Sequence, residues 1–236
     1  MKCNPNKKEF ETIISKINYL SEGVMEITFK IINSDRMCFS PGQFIIIKIS
    51  NEPMIMRTYS VLNYNIETNE ISVAIKKVEG GQGTSIIFEN FKVGMKVDIM
   101  GAMGKDLIVN KDEKNLVLVA TGIGVTPILC ILNDLVNSKY EGNITFIYGA
   151  RTKAELFYLE DIQNIEQNNQ NINFIPVLSR EELDGYRKGY VTNIINDINL
   201  NDKYIYMCCS RSVAMSFKEA LERKGFDLSR FKCESA

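Results

Sequence analysis

Four consecutive residues, Arg57-Thr58-Tyr59-Ser60, bring together groups suited to a bound dinucleotide. An arginine fork pairs bidentately with phosphate, a tyrosine offers a flat face to an aromatic ring, and a serine hydroxyl hydrogen-bonds a ring nitrogen. Further along, Gly80-Gly81-Gln82-Gly83-Thr84-Ser85 reads as a glycine-rich turn whose N–H groups, with the Thr84 hydroxyl, suit the same pyrophosphate. Taken singly, the first segment is equally a surface strand end and the second a hairpin; order and spacing make the pair informative. A third segment, Val119-Ala120-Thr121-Gly122-Ile123-Gly124-Val125-Thr126-Pro127, ends an apolar strand with two glycines and opens a helix. Glycines let the backbone approach a pyrophosphate, and the helix N-terminus supplies free N–H groups and partial positive charge. Pro127 fits a first-turn position, where its missing N–H goes unneeded, although it replaces the third glycine of the dinucleotide pattern.

Composition narrows the chemistry. The 236 residues contain no histidine, which excludes His-based acid/base catalysis, His-ligated haem and His-containing zinc sites. Six cysteines, at 3, 38, 130, 208, 209 and 233, lack the short spacings that hold zinc or an iron–sulfur cluster. Reduced thiols are therefore expected. What remains is chemistry carried by a cofactor, for which the protein supplies position and electrostatics. Net charge is −1, and residues 1–110 carry 13 Lys/Arg against 12 Asp/Glu, which points away from nucleic acid. There is no run of about 18 apolar residues to enter a membrane, and Met1 to Phe10 lack the apolar middle of a signal peptide. A cytoplasmic location is expected.

Two kinds of element must position these segments. Before residue 112, the β-rich runs Val24–Ile32, Phe44–Ile49, Ile71–Ile75 and Lys96–Met100 are separated by Pro41-Gly42, Gly80-Gly81 and Gly94, which predicts an antiparallel sandwich or barrel. Beyond it, apolar strands Leu116–Ala120, Ile144–Tyr148, Phe174–Leu178 and Tyr204–Cys208 alternate with helical segments near 127–138, 153–167, 190–196 and 212–224. That alternation predicts a parallel sheet covered on both faces. Two domains are expected, 1–112 and 113–236.

Over nearly its whole length the chain resembles the ferredoxin–NADP reductase family. The resemblance is carried by Pro41-Gly42-Gln43-Phe44, Arg57-x-Tyr59-Ser60, Gly81-x-Gly83-Thr84-Ser85, Gly122-x-Gly124-x-x-Pro127 and Tyr148-Gly149-Ala150-Arg151 in the family's order. It implies an antiparallel FAD-binding β-barrel followed by an α/β parallel-sheet nucleotide-binding domain, with the flavin at their junction. It further implies that Arg57, Thr58 and Gly81 to Ser85 hold FAD, that Tyr59 packs on the isoalloxazine, and that Ser60 lies near flavin N5. Thr121 to Pro127 would hold the pyrophosphate of NADP, with NAD possible.

The family's Cys-Gly-Pro strand end should fall at Tyr206–Ser210, where this chain reads Cys208-Cys209-Ser210. Cys208 then stands as the nicotinamide-side cysteine and Cys209 in place of the glycine, which puts close nicotinamide approach in question. Glu234 matches a glutamate near the end of plant-type members. Ala236 stands where their terminal aromatic covers the flavin, leaving Phe231 the nearest aromatic for that role. Ser179, Arg180, Arg187 and Arg151 are the candidates for anchoring the nucleotide, Arg180 and Arg187 through a 2′-phosphate and Arg151 as a further contact. The implied activity is electron transfer between NADPH and a carrier such as ferredoxin or flavodoxin, or another redox protein. No fused iron–sulfur segment is apparent, so electrons are expected to leave to another polypeptide. A reductase component of a multicomponent oxygenase shares every motif. A non-catalytic nucleotide-binding sensor subunit is the reading from a different class, suggested by Cys208-Cys209-Ser210 and Ala236.

Overall fold

A computed structural model describes Cys3 and residues 7–32 and 36–235. Ala236, and with it the question of a terminal lid, lies outside the described residues. The chain divides into two compact units that part between Ile108 and Val109. Residues 110–113 go with the second unit because they bond to it: the Asn110 N–H and the Glu113 carboxylate both meet the Tyr206 phenol, and Lys111 pairs with Asp134 at 2.7 Å.

The first unit is a closed barrel. Its strands are β1 (Glu9–Ser21), β2 (Val24–Ile31), β3 (Phe44–Asn51), β4 (Met54–Asn65), β5 (Glu70–Lys76) and β6 (Lys96–Met103), joined in the order β1-β2-β5-β4-β3-β6 and closed by β6 against β1. Alternation builds it: Phe10, Thr12 and Ile14 of β1, Ile27, Phe29 and Ile31 of β2, and Ile45, Ile47 and Ile49 of β3 turn inward, where all but Thr12 join one apolar core. Thr12 is tolerated there because its hydroxyl donates to the Val97 carbonyl. β1 and β4 escaped the sequence reading, since Lys, Asn and Met break their apolar runs.

One expectation for this unit is corrected. Gln82–Asn90 is a helix, α1, so Gly83-Thr84-Ser85 is its first turn and neither a hairpin nor an open glycine loop. After Gly81, whose extended backbone (φ −76°, ψ 109°) serves as N-cap, the Ser85 N–H already donates to the Gly81 carbonyl.

The second unit is a six-stranded all-parallel sheet in the order β10-β9-β8-β7-β11-β12. β7 (Asn115–Thr121), β8 (Asn143–Ala150), β9 (Ile172–Leu178) and β11 (Tyr204–Cys209) form its centre; β10 (Arg187–Lys188) and β12 (Phe231–Ser235) are its edges. α4 (Val191–Ile194) and α5 (Arg211–Arg223) cover one face through Val191, Ile194, Phe217 and Leu221, packed on Val117, Val119, Ile205 and Met207. α2 (Val125–Asn137) packs against β7 and β11, and α3 (Leu159–Asn168) against β9. The expected segment 153–167 divides into a 3-10 turn at 153–155 and α3, with left-handed Tyr158 (φ +60°) between them.

β12 also escaped the sequence reading. It is short and mixed in polarity, and it exists because Phe231 stacks on Phe217 at 5.9 Å between centroids and Cys233 joins the same core. Phe231 is thereby committed to packing within this unit. The expectation of six reduced cysteines is corrected as well, because Cys3 and Cys38 form a disulfide. Their distance in sequence, 35 residues, hid the pairing from a search for short spacings.

Candidate functional site

In the barrel, the residues from Met56 to Ser60 break the burial rhythm of β4. Ile55 and Val61 are buried, whereas Met56, Arg57 and Thr58 between them are exposed and Tyr59 and Ser60 half-buried. Parity puts Arg57 and Tyr59 on the face of Ile55 and Val61, opposite Ile47 and Ile45 of β3. Tyr59 packs on the barrel core, and burial pushes its phenol up to about 12 although Arg57 pulls the other way. It is therefore a neutral aromatic surface. Arg57 donates to the Met56 carbonyl at 2.8 Å and makes no ion pair among the described residues.

The start of α1 meets Arg57 directly. A Cβ placed on Gly83 would lie 3.2 Å from Arg57 Cγ and 3.1 Å from Ile49 Cδ1, so the missing side chain is what lets the helix turn sit on the arginine stem. An arginine fork and the free N–H groups of a helix N-terminus thus share one place. Thr84 departs from expectation. Its hydroxyl accepts from the Val78 N–H at 3.1 Å and lies 3.2 Å from the Gly81 carbonyl, so it fastens the turn from within. Ser85 beside it is half-buried.

In the parallel-sheet unit, Thr121 ends β7 and Gly122 (φ +53°) begins a 3-10 turn that leads at Gly124 into α2, with Thr126 and Pro127 buried in the first helical turn. Gly124 fits for one reason: a Cβ there would stand 2.7 Å from the Cys208 carbonyl carbon, and nearer still to its oxygen. The glycine turn and the end of β11 are therefore in backbone contact. The Thr126 hydroxyl donates to the Ile123 carbonyl at 2.8 Å, and the buried Tyr148 hydroxyl donates to the Gly122 carbonyl at 3.0 Å. Tyr148 lies within a motif already singled out, but its aromatic, apolar surroundings in sequence give no sign of the hydroxyl's task.

Cys208 and Cys209 go opposite ways. Cys209 points into the core under α4 and α5, while Cys208 pairs in register with Ala120 on one side and Glu234 on the other. The thiol that stands for the family's glycine is thus turned away from the Cys208 face. Burial first, then the Glu234 carboxylate and Cys233, push the Cys208 thiol up to about 12. The Cys209 thiol, raised by its hydrogen bond with Cys233 and by burial, leaves Cys233 as the more acidic partner.

Two matches with known families settle the lineage. Residues 11–106 match an oxidoreductase FAD-binding domain and residues 118–218 an oxidoreductase NAD-binding domain. The chain belongs to the ferredoxin–NADP reductase family.

Like other members of this reductase family, it is an oxidoreductase with an FAD-binding barrel ahead of a nicotinamide-nucleotide-binding domain. It is 23% identical to the toluate 1,2-dioxygenase electron transfer component of Pseudomonas putida, over 98% of this chain and 69% of that one. It is 26% identical to the propane 2-monooxygenase reductase component of Mycolicibacterium smegmatis, over 78% of this chain and 53% of that one. It thus spans only about half to two thirds of these relatives. A ferredoxin NADP+ reductase from Neisseria gonorrhoeae, solved with bound FAD and NADP, has the same fold with a TM-score of 0.84 at 17% identity, covering 98% of this chain and 99% of that one.

The arginines expected to anchor the nucleotide do not form one cluster. The Arg180 N–H donates to the Arg151 carbonyl at 2.9 Å, which places these two arginines side by side at the ends of β9 and β8 beside Ser179. Both are exposed and carry no ion pair among the described residues. Arg187, in contrast, is held by Asp197 at 2.6 Å. That partner lies ten residues on in an unremarkable polar loop, so nothing in the sequence announced it. No helix among the described residues is long and apolar enough to cross a membrane, and no metal-binding group of His, Cys, Asp or Glu occurs among them.

Proposed function

We propose that this reductase transfers electrons between NAD(P)H and a separate one-electron carrier protein, such as a ferredoxin, a flavodoxin or an oxygenase component. The contact between Arg57 and the Gly83 turn carries the reading: it joins two phosphate-binding devices from distant parts of the chain, in a cradle that any side chain at Gly83 would fill. FAD, when bound, accepts an electron pair from reduced nicotinamide and releases the electrons singly.

The chain's own groups do the rest. Arg57, the Gly83 N–H and the Ser85 hydroxyl bind the pyrophosphate, Thr84 and Gly81 shape that turn, Tyr59 supports the ring, and Ser60 with Thr58 offers hydroxyls along β4. Thr121, Gly122, Gly124, Thr126 and Pro127 form the nucleotide turn. Cys208, a neutral thiol at physiological pH, and Glu234 in register beside it border the nicotinamide position. Arg180 and Arg151, free of carboxylates, select NADPH, with Ser179 as a neighbouring hydroxyl. Arg187 is set aside because Asp197 already occupies it. The cytoplasm, which supplies reduced nicotinamide nucleotide, is the proposed compartment.

The purified protein should show flavin absorbance that NADPH bleaches. Arg57→Ala should weaken FAD retention on the order of tenfold, as loss of a charge-assisted bond worth roughly 1.5–3 kcal/mol implies. Arg180→Ala should raise KM for NADPH while Arg187→Ala leaves it nearly unchanged, because the exposed Arg187–Asp197 pair already neutralises that guanidinium. A wild-type protein that retains no flavin, or that NADH reduces in preference to NADPH, would sink the corresponding half of the reading.

A further inference from the structure

Tyr148 sits in the centre of the sheet on β8, paired with Ala120 of β7 and Pro176 of β9, and is fully buried. Its ring stacks on Phe146, with centroids 6.1 Å apart and planes 5° from parallel. A phenylalanine would fill that volume equally well. The hydroxyl is the part that needs explaining, because a buried hydroxyl is costly unless hydrogen-bonded.

Its surroundings are three backbone groups from two neighbouring loops. The hydroxyl donates to the Gly122 carbonyl at 3.0 Å and accepts the Phe157 N–H at 3.2 Å; the Glu155 carbonyl is 3.4 Å away. Gly122 is in the left-handed region, the first residue of the glycine turn. The Gly122 carbonyl also accepts the Val125 N–H, and the Ile123 carbonyl accepts both that N–H and the Thr126 hydroxyl. The first two carbonyls of the turn are thereby engaged by the protein's own donors. A carbonyl swung outward would set a negative dipole end beside a phosphate, whereas N–H groups at the same place attract it.

We propose that Tyr148 is a positioning residue for the pyrophosphate of the nicotinamide nucleotide, fixing through its hydroxyl the polarity of the Gly122–Gly124 turn. The inference rests on the nucleotide-binding role of that turn given above. The same hydroxyl ties the turn to the segment ahead of α3, so one oxygen sets two strand-end loops at once.

The test uses the whole protein with flavin bound. Tyr148→Phe keeps the ring and removes the brace. KM for NADPH should rise about fivefold, as loss of a hydrogen bond worth roughly 1 kcal/mol implies, with kcat nearly unchanged. Reduction of the flavin by N-benzyl-1,4-dihydronicotinamide, which has no pyrophosphate, should proceed at the wild-type rate. Calorimetry should show the same fivefold loss for ADP, a ligand whose binding does not depend on flavin reduction. An unchanged KM and ADP affinity would overturn the proposal, and so would equal losses with both hydride donors, which would mark a merely structural role. Should Tyr148→Phe fail to fold, Thr126→Val, which removes the brace on the Ile123 carbonyl, must show the same split between donors; its absence there overturns the idea. If NADPH does not reduce the wild-type flavin while ADP binding still depends on Tyr148, the functional reading fails and this inference stands.

Discussion

Adjacent cysteines, Cys208 and Cys209, differ in role because successive strand residues face opposite ways. Cys209 belongs to the core beneath α5, and Cys208 to the face where the glycine turn approaches. Burial raises the Cys208 thiol from 9.0 to about 12 and the Tyr59 phenol from 10.0 to about 12. The sign of the consequence is fixed: between these values the unfolded chain loses protons that the folded chain keeps, so stability is full below about pH 9 and falls as pH rises toward 12. The urea midpoint should therefore be lower at about pH 10.5 than at about pH 8, and Cys208→Ala should flatten the decline. A decline of equal steepness in that variant would dissociate it from Cys208. At this scale the sequence was legible in the glycines of Gly122–Gly124, which stand, as expected, between the end of β7 and the start of α2. It was illegible where a partner decides the use, as with Thr84, turned inward by Val78, and Arg187, held by Asp197.

Among the elements, those with strong periodicity were readable and those created by packing were not. The four central strands of the parallel sheet, β7, β8, β9 and β11, are largely apolar runs, and α2 and α5 lie within two residues of their expected spans. α1 was missed because its first turn is Gly-Thr-Ser, poor helix formers whose place is set by contact with Arg57 and Ile49. β12 was missed because five mixed residues become a strand only beside β11. The junction of α2 with β11 depends most on a single atom's absence. Gly124→Ala would drive a methyl group into the Cys208 peptide, backbone against backbone, with no flexible side chain to yield. The cost should reach roughly 1–3 kcal/mol or more, as for other overpacked sites. Thermal unfolding should fall accordingly and ADP affinity should drop, while Gly23→Ala, with open space around it, serves as the control. An alanine variant at 124 with wild-type melting and ADP binding would show that the turn and β11 are not in contact.

Across the whole molecule, the order of barrel and parallel sheet was readable because turn-punctuated short strands and strand–helix alternation are different rhythms. The long-range cross-link was not, since pairing of Cys3 with Cys38 depends on how the barrel brings them together. This disulfide bears on the compartment. Disulfides persist in oxidising surroundings and are uncommon where glutathione keeps thiols reduced, yet reduced nicotinamide nucleotide is a cytoplasmic substrate. Both hold if the bridge opens under reducing conditions, which its exposed Cys3 end permits, whereas Cys130, Cys208 and Cys209 are buried thiols. Closing a loop across 35 residues stabilises by roughly 2–4 kcal/mol, chiefly by restricting the unfolded chain. Treatment with a phosphine reductant should therefore lower the whole protein's unfolding midpoint by roughly 5–15 °C, and Cys38→Ser should show the lower midpoint with or without reductant. Intact-mass measurement should find two hydrogens gained on reduction by the wild-type chain and none by the variant. A wild-type midpoint indifferent to reductant, with the mass change complete, would show that the bridge contributes no stability; a mass that never changes would show that the thiols are not joined in the isolated protein.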